Sequence, residues 1–389
     1  MIITDQCTGC RTCEQVCPKH CITMHENSEG FLQPEVDETR CVECGLCKKK
    51  CPQNIEHPLN FEQKVYAVKL RDGKALMKSS SGGAFWAMAQ VVIDHHGVVF
   101  GAAYTKEFSI VHIKAENYED LRKMQGSKYV QSDTADTYAE CKKELDAGRW
   151  VLYTGTPCQI AGLKSYLSKD YSNLITVDLI CHGVPSPKLF KKYLLWLSGK
   201  YGEPVLEYDF RTKENVGWGL EYRAKTRTKT KTQFLSGGLD PYYNKFLSAS
   251  IYRMCCYSCK YANMNRVGDI TIGDYWGIEK YHPEFYDKKG VSVIILNTVN
   301  GEGFFEKIKN HYDYIESNIP NAMAENKNLS KPTPMPSERV DIYKEIDTLS
   351  TTNYFASYFQ IPMKRRLKAM IKKMLPQKMI LMLKRSIRK

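Results

Sequence analysis

Apolar and polar positions along this chain change rhythm several times. Over residues 22–36, ITMHENSEGFLQPEV, two short apolar segments flank Asn27, Ser28, Glu29 and Gly30, a pattern that predicts a β-hairpin. After residue 62, apolar runs such as VYAVKL, GVVFGAAY, WVLYTG and LITVDLIC alternate with helical patterns, which predicts short buried strands in a mixed α and β body. KSSSGG at residues 78–83 leads into an apolar, helix-period segment closed by Gly97. RAKTRTKTKTQ at 223–233 alternates cations with threonines, which a strand resolves into a basic face and a hydroxyl face. It reads either as a solvated edge guarded by lysine or as a dock for an anionic substrate or an acidic carrier protein. Near the end, Leu367, Met370, Ile371 and Met374 share a helical face opposite cations, and Pro376 sets off a second segment with Met379, Ile380 and Leu383.

The expected class is α+β. A small domain spans 1–60, and a larger mixed α/β body follows in two parts, 61–148 and 149–330. The proline-spaced KPTPMPS (331–337) then reads as a linker into a basic amphipathic tail, 331–389 in all. A chain of 389 residues can bury more than one core. It has no run of eighteen apolar residues, and no basic and apolar leader precedes the first cysteine, so neither a signal peptide nor a spanning helix is expected. A cytoplasmic protein is the resulting expectation.

Charge refines this picture at one end. Residues 361–389 hold eleven Lys/Arg and no Asp/Glu, and removing them takes the formal charge from +13 to +2. Such a segment suits peripheral contact with an anionic membrane, each nearby cation contributing about 1 kcal/mol; a disordered tail or one packed on a partner is the alternative. With so little surplus charge elsewhere, nucleic acid is not an expected partner.

Cysteine placement changes the picture most. Of fifteen cysteines, nine lie before residue 52, eight of them in CTGCRTCEQVCP (7–18) and CVECGLCKKKCP (41–52). A disulfide framework would scatter them along a small secreted chain, so reduced thiolates binding metal are expected. Each block reads C-x2-C-x2-C-x3-C-P, three cysteines wrapping one iron–sulfur cube while the fourth, on the next turn, points to the other cube. Cys7, Cys10, Cys13 and Cys51 are assigned to one 4Fe-4S cluster, and Cys41, Cys44, Cys47 and Cys17 to its partner. Pro18 and Pro52 end the ligand turns. Paired zinc sites are the alternative, but zinc needs no crossed fourth cysteine followed by proline. Cys21 is left over as a small buried residue. The blocks resemble the two-cluster bacterial ferredoxin domain over residues 1–58.

A ferredoxin domain only carries electrons, so the chemistry belongs downstream. Neither G-x-G-x-x-G nor a P-loop occurs there. The serines and glycines before the helix at 84 could hold a phosphate on free N–H groups, or merely cap the helix. SSGGAF, QGSKYVQS (125–132), YTGTPCQIAGLK (153–164), DLICHGVPSP (178–187) and CCYSCKYANMNRVGDITIGDYWG (255–277) together resemble the coenzyme F420 hydrogenase/dehydrogenase beta-subunit family over residues 62–310. That resemblance implies a flavin, generally FAD, beside an iron–sulfur cluster. It implies flavin contacts from Ser80, Ser81, Gly82, Gly83, Ser127, Lys128, Tyr129 and Asp274. A third 4Fe-4S cluster on Cys158, Cys181, Cys256 and Cys259 fits the same motifs; unliganded buried thiols are the alternative. Cys255 is the odd neighbour of Cys256, Cys141 an unliganded thiol, and His182 a hydrogen-bonding residue.

The expected function is an iron–sulfur flavoprotein oxidoreductase that passes electrons from a ferredoxin-type donor, through clusters and flavin, to an organic substrate. A precursor of surface polysaccharide is one such substrate, suggested by the membrane-seeking tail. The alternatives are an F420-oxidising or F420-reducing subunit serving a partner oxidoreductase, and a non-enzymatic relay. A flavin takes electrons singly or in pairs, which makes it the natural junction.

Overall fold

Alternation within the apolar runs sets the architecture. A computed structural model describes residues 5–56, 62–228, 233–363 and 366–367. Among these, the strands are β1 (Ile22–Glu26), β2 (Leu32–Val36), β3 (Lys64–Leu70), β4 (Val98–Tyr104), β5 (Ile110–Ala115), β6 (Val151–Gly155), β7 (Leu174–Leu179), β8 (Val205–Thr212), β9 (Glu221–Thr226), β10 (Gln233–Ser236), β11 (Ile270–Asp274), β12 (Ser292–Leu296) and β13 (Tyr312–Ser317). Eight of them form one sheet in the order β13-β3-β12-β11-β7-β6-β4-β5. The central run β11, β7, β6 and β4 is parallel, and antiparallel pairings flank it.

Period two decides which side chain enters which layer. Val99, Leu152, Ile175 and Ile294 face a core built on the helix Ala84–Asp94, whereas Val98, Phe100, Val151 and Tyr153 face the opposite layer with the helix Pro157–Leu167. Buried on both faces, these strands read as continuous apolar runs, as parallel strands do. Helix Ala84–Asp94 is apolar nearly all round and lies deep in its layer.

A second unit rests on the antiparallel sheet β10-β9-β8 and the helices Pro187–Tyr201 and Pro241–Leu247. Its core is aromatic: Phe190, Tyr193, Tyr208, Phe210 and Tyr242 pack together. Two sequence expectations change here. The strand carrying Arg223 and Lys225 is the middle one, and those cations pair with Asp209 and Glu207 of neighbouring β8, which occupies them locally. The segment after 337 is not all linker and tail, because the helices Arg339–Lys344 and Thr351–Tyr358 bury Ile342, Tyr343, Tyr354 and Phe355 against the aromatic core. Apolar spacing too short to signal amphipathic helices still meets a matching surface in three dimensions. Most of the amphipathic tail, residues 368–389, lies outside the described residues, as do 229–232 of the basic strand. No described helix is long and apolar enough to cross a membrane.

The amino-terminal module comprises the antiparallel hairpin β1–β2 and two cysteine loops. Asn27 forms its turn: the side-chain oxygen accepts from the N–H groups of Glu29 and Phe31, and Gly30 takes φ 82°.

Candidate functional site

The two cysteine blocks fold alike, residue for residue. In the first, the N–H of Gly9 donates to Cys7 Sγ at 3.4 Å; in the second, that of Glu43 donates to Cys41 Sγ at 3.4 Å. Gly9 and Glu43 both have positive φ, 68° and 50°, and so do the next helix caps, Arg11 at 62° and Gly45 at 69°. Four-residue helices follow, Thr12–Gln15 and Leu46–Lys49, each leading to the fourth cysteine and its proline. Arg11 and Glu43, two non-glycine residues held in the left-handed region, and the N–H groups of Gly9 and Glu43 turned on sulfur make a backbone cup for thiolates.

The sulfurs of the two blocks fall into two sets of neighbours. Cys7, Cys10, Cys13 and Cys51 line one cavity. Cys47 instead feels Cys44 and Cys17, and Cys41 lies near Cys17 through Cys21. Burial pushes the Cys13, Cys7 and Cys51 thiols up, so in the bare protein they are neutral; a bound cation would be what holds them as thiolates. At Cys17, burial works in the same direction but N–H groups of Cys21, Lys19 and His20 outweigh it and draw the thiol down. Cys21 is not isolated, since its sulfur lies 3.4 Å from that of Cys17. No described set of three or more His, Cys, Asp or Glu side chains closes on a single ion.

The module is locked to the body. Arg11 pairs with Asp133, its Nη2 donating to Oδ2 at 2.8 Å, and Thr134 Oγ1 donates to the Cys10 carbonyl at 3.2 Å. Lys260 Nζ donates to the carbonyls of Pro52, Gln53 and Ile55, and Arg339 pairs with Glu29 across the hairpin turn. Gly162 allows the closest approach: a Cβ there would lie 2.8 Å from Thr12 Oγ1 and 3.2 Å from Cys10 Cβ. As a result Cys10 and Cys13 are buried, whereas Cys44 is exposed. The loop of Cys7 is the inner one, and the loop of Cys41 the outer.

The later cysteines converge at the carboxyl ends of parallel strands, where ligands of such sheets usually sit. After β6, Thr156 and Gln159 close a capping box and Pro157 opens the helix, which puts Cys158 in its first turn beside the positive end of the dipole. After β7 come Cys181 and His182. Gly183, at φ 131°, lets the Tyr252 ring pack where a Cβ would lie 2.4 Å from it, and Arg253 N–H donates to the Val184 carbonyl. This contact brings the turn Met254–Ser258 and Cys259 over Cys181. Cys158, Cys181, Cys255, Cys256 and Cys259 line one cavity, together with Gln6, Thr8 and Gln53 of the module. Thr8 and Gln53 also line the inner-loop cavity, so the two sites share a wall. Cys255 belongs to this lining, and Cys158, Cys181 and Cys259 each feel its charge. Burial raises Cys181 to about 12. Cys141 is buried in the layer behind β6 and raised by burial.

One strand over, Asp274 ends β11 and forms a bidentate pair with Arg211, both contacts at 3.0 Å. Its Oδ1 also accepts from Trp218 Nε1 at 2.6 Å. Burial opposes the charge on Asp274, but Arg211 outweighs it and keeps the carboxyl below its usual range. Arg211 also donates to Tyr129 OH and to the Ser80 carbonyl, and Ser80 Oγ accepts from the Ser127 N–H. Ser81 Oγ donates to the Val291 carbonyl, and Gly82 lies so close to Val68 and Ser292 that a Cβ would be 2.3 Å from their backbone. Gly83, at φ 81°, opens helix Ala84–Asp94 without a side-chain cap. Lys128 Nζ is turned onto the carbonyls of Met124, Gln125 and Gly126.

The structure thus gathers Ser80, Ser81, Gly82, Gly83, Ser127, Tyr129 and Asp274 around the end of the central strand β11 and turns Lys128 onto backbone carbonyls. It adds Arg211, Lys213, Trp218 and Trp276, of which only Trp276 lay within a motif; Trp218 and Trp276 stack with centroids 5.0 Å apart. The signal for the other three was a basic and aromatic string on either side of Gly217, too common to single out. The buried Arg211 Nε has no acceptor among the described residues. Together with the uncapped helix start, this orphan donor fits an acceptor on a cofactor. His182, lowered by burial and held by Asn328, joins the two areas, since both residues line the cysteine cavity and Asp274 acts on His182.

Comparison with known proteins agrees with this anatomy. Residues 148–321 match the family model for the C terminus of the coenzyme F420 hydrogenase/dehydrogenase beta subunit, and residues 6–55 match the 4Fe-4S dicluster domain. An uncharacterized protein of Methanocaldococcus jannaschii is 23% identical over 357 residues, covering 81% of this chain and 90% of that protein. The coenzyme F420-dependent sulfite reductase of the same organism is 25% identical over 308 residues; the match covers 76% of this chain but 45% of the reductase. A chain of the F420-reducing nickel–iron hydrogenase complex from Methanosarcina barkeri aligns with a TM-score of 0.47 at 16% identity, over 75% of this chain and 93% of that one. Over residues 148–321 the chain is similar to the C terminus of the coenzyme F420 hydrogenase/dehydrogenase beta-subunit family, and it carries a 4Fe-4S dicluster domain in front of that region.

Proposed function

We propose that this iron–sulfur protein is an oxidoreductase subunit that exchanges electrons between a one-electron carrier and coenzyme F420, a two-electron carrier, through three clusters and an FAD. The observation that carries this reading is the shared wall of Thr8 and Gln53. It makes the inner cysteine loop and the body cavity neighbours, and His182 and Asn328 continue from there to Asp274. The outer loop meets solvent, and so an external ferredoxin-type donor or a partner oxidoreductase.

In this reading Cys7, Cys10, Cys13 and Cys51 hold the inner cluster, and Cys17, Cys41, Cys44 and Cys47 the outer one. Cys158, Cys181, Cys259 and one of the adjacent pair Cys255 and Cys256 hold the third. The start of helix Ala84–Asp94 and Arg211 Nε would hold the polar part of the flavin, with Ser80, Ser127 and Tyr129 beside it. When bound, a flavin couples single-electron to paired-electron transfer. Asp274 orients Arg211 rather than meeting the cofactor directly, because both its oxygens are engaged.

The similarity to an F420-dependent enzyme supports F420 over a polysaccharide precursor, which rested on the basic tail alone. Anaerobic purification with iron and flavin counts tests the inventory: about twelve irons with one flavin support it, and about eight irons without flavin leave a relay. Stopped-flow bleaching of oxidised F420, or return of its colour from the reduced form, tests the substrate. A loaded protein inert toward both forms would end the F420 reading.

A further inference from the structure

Four arginines are buried among the described residues: Arg211, Arg253, Arg266 and Arg339. Three of them meet a carboxylate: Asp274, Asp178 and Glu29, respectively. Arg253, with 3% exposure, has none among the described residues; its guanidinium donates to neutral oxygens, the Cys7 carbonyl at 2.7 Å, the Leu32 carbonyl at 2.8 Å and Gln131 Oε1 at 3.0 Å. A buried cation without an anion is costly. It stands between two sets of sulfurs: its Nε grips the peptide of Cys7 in the inner loop, and two residues along its own chain Cys255 lines the body cavity.

Gly9 leaves room for this contact, because a Cβ there would lie 3.0 Å from Arg253 Nη1 and 2.9 Å from Gln131 Nε2. At the same place in the outer loop stands Glu43, exposed and carrying the opposite charge. At this one position the two otherwise matching cups therefore meet opposite charges.

We propose that Arg253 is the shared counter-cation of the inner cluster and the body cluster, and that with Glu43 it makes the inner cluster easier to reduce than the outer one. The proposal rests on the clusters being those of the proposed function. A cube with four thiolates is doubly negative when oxidised and triply negative after taking one electron from the external carrier; no bond is made or broken. A fixed cation favours the more negative form, and net charge is among the factors that set such potentials. Electrons entering at the exposed loop then run inward. Arg253 is a positioning residue as well, tying the first cysteine loop, the hairpin and the body through one planar fork.

Potentiometric titration followed by electron paramagnetic resonance on the anaerobic full-length protein tests this, with the outer signal identified as the one altered in Cys44→Ala. Arg253→Gln is expected to lower the reduced-to-oxidised ratio of the inner cluster at least tenfold at fixed ambient potential, about 59 mV for one electron, and to leave the outer cluster unchanged. Gln131→Glu, which neutralises Arg253 in place, is expected to act in the same direction, and Arg253→Lys to stay near wild type. If Arg253→Gln loses its iron, Gln131→Glu decides. An unchanged inner potential in an iron-replete Gln131→Glu or Arg253→Gln protein overturns the proposal, as does an Arg253→Lys shift as large as that of Arg253→Gln. A wild-type protein without iron would instead refute the proposed function.

Discussion

The loops of residues 7–18 and 41–52 share their cysteine spacing, their left-handed residues, their N–H to sulfur contacts and their short helices, yet they live in different surroundings. The inner loop is roofed by Gly162, Arg253 and Lys260 of the body, and the outer loop leaves Cys44 and Val42 exposed. Local sequence therefore builds a ligand cup twice over. What each cup meets depends on what packs against it: one is closed in by the body, the other is left open to solvent.

The widest separation between the two should come from their cysteines. Cys13→Ala is expected to remove about four of the irons and to loosen the module, lowering the melting temperature by several degrees. Cys44→Ala should remove the outer cluster with little change in melting; equal losses of stability would mean that the two environments do not differ. Asp274→Asn comes next. It leaves Arg211 buried with a weakened partner and should cost up to about 3–5 kcal/mol in urea unfolding, with loss of bound flavin.

Glycines sharpen the comparison further. Gly162→Val pushes a side chain into Thr12 and Cys10 and should cost about 1–3 kcal/mol and make the inner cluster more sensitive to oxygen. Gly45→Ala in the outer loop meets no atom within 4 Å and should pay only for its φ of 69°, about 1 kcal/mol. A further effect concerns pH. Lys213, buried and donating to the carbonyls of Leu76 and Ser81, is lowered to about 7 by burial and by Arg211. Between about 7 and the ordinary lysine value near 10.4 the unfolded chain binds the extra proton, so stability should rise with pH across that window and be flat below it. Lys213→Met should lose this slope in urea unfolding measured from pH 6 to 10.

The ferredoxin-type module was legible because its chemistry is local. A cysteine every third residue, a closing proline and a turn at Asn27–Gly30 fix geometry within a dozen residues. The buried strands were legible as apolar runs, and Cys158 and Cys181 as cysteines beside them. Arg211, Lys213, Trp218 and Arg253 were not legible, because an arginine bound for a core looks in sequence like one bound for solvent. The cations of β9 were misleading for the same reason: their carboxylate partners lie on a strand more than ten residues away. Residues 339–361 looked like tail because short helices with few apolar positions announce themselves weakly.

What the string of residues settled, then, was ligand identity and local backbone shape, both governed by neighbours a few bonds away. Which loop is buried, which arginine lacks a carboxylate and which cavities share a wall were settled by folding. Burial and electric field are sums over atoms from distant parts of the chain, and no short window of sequence contains them.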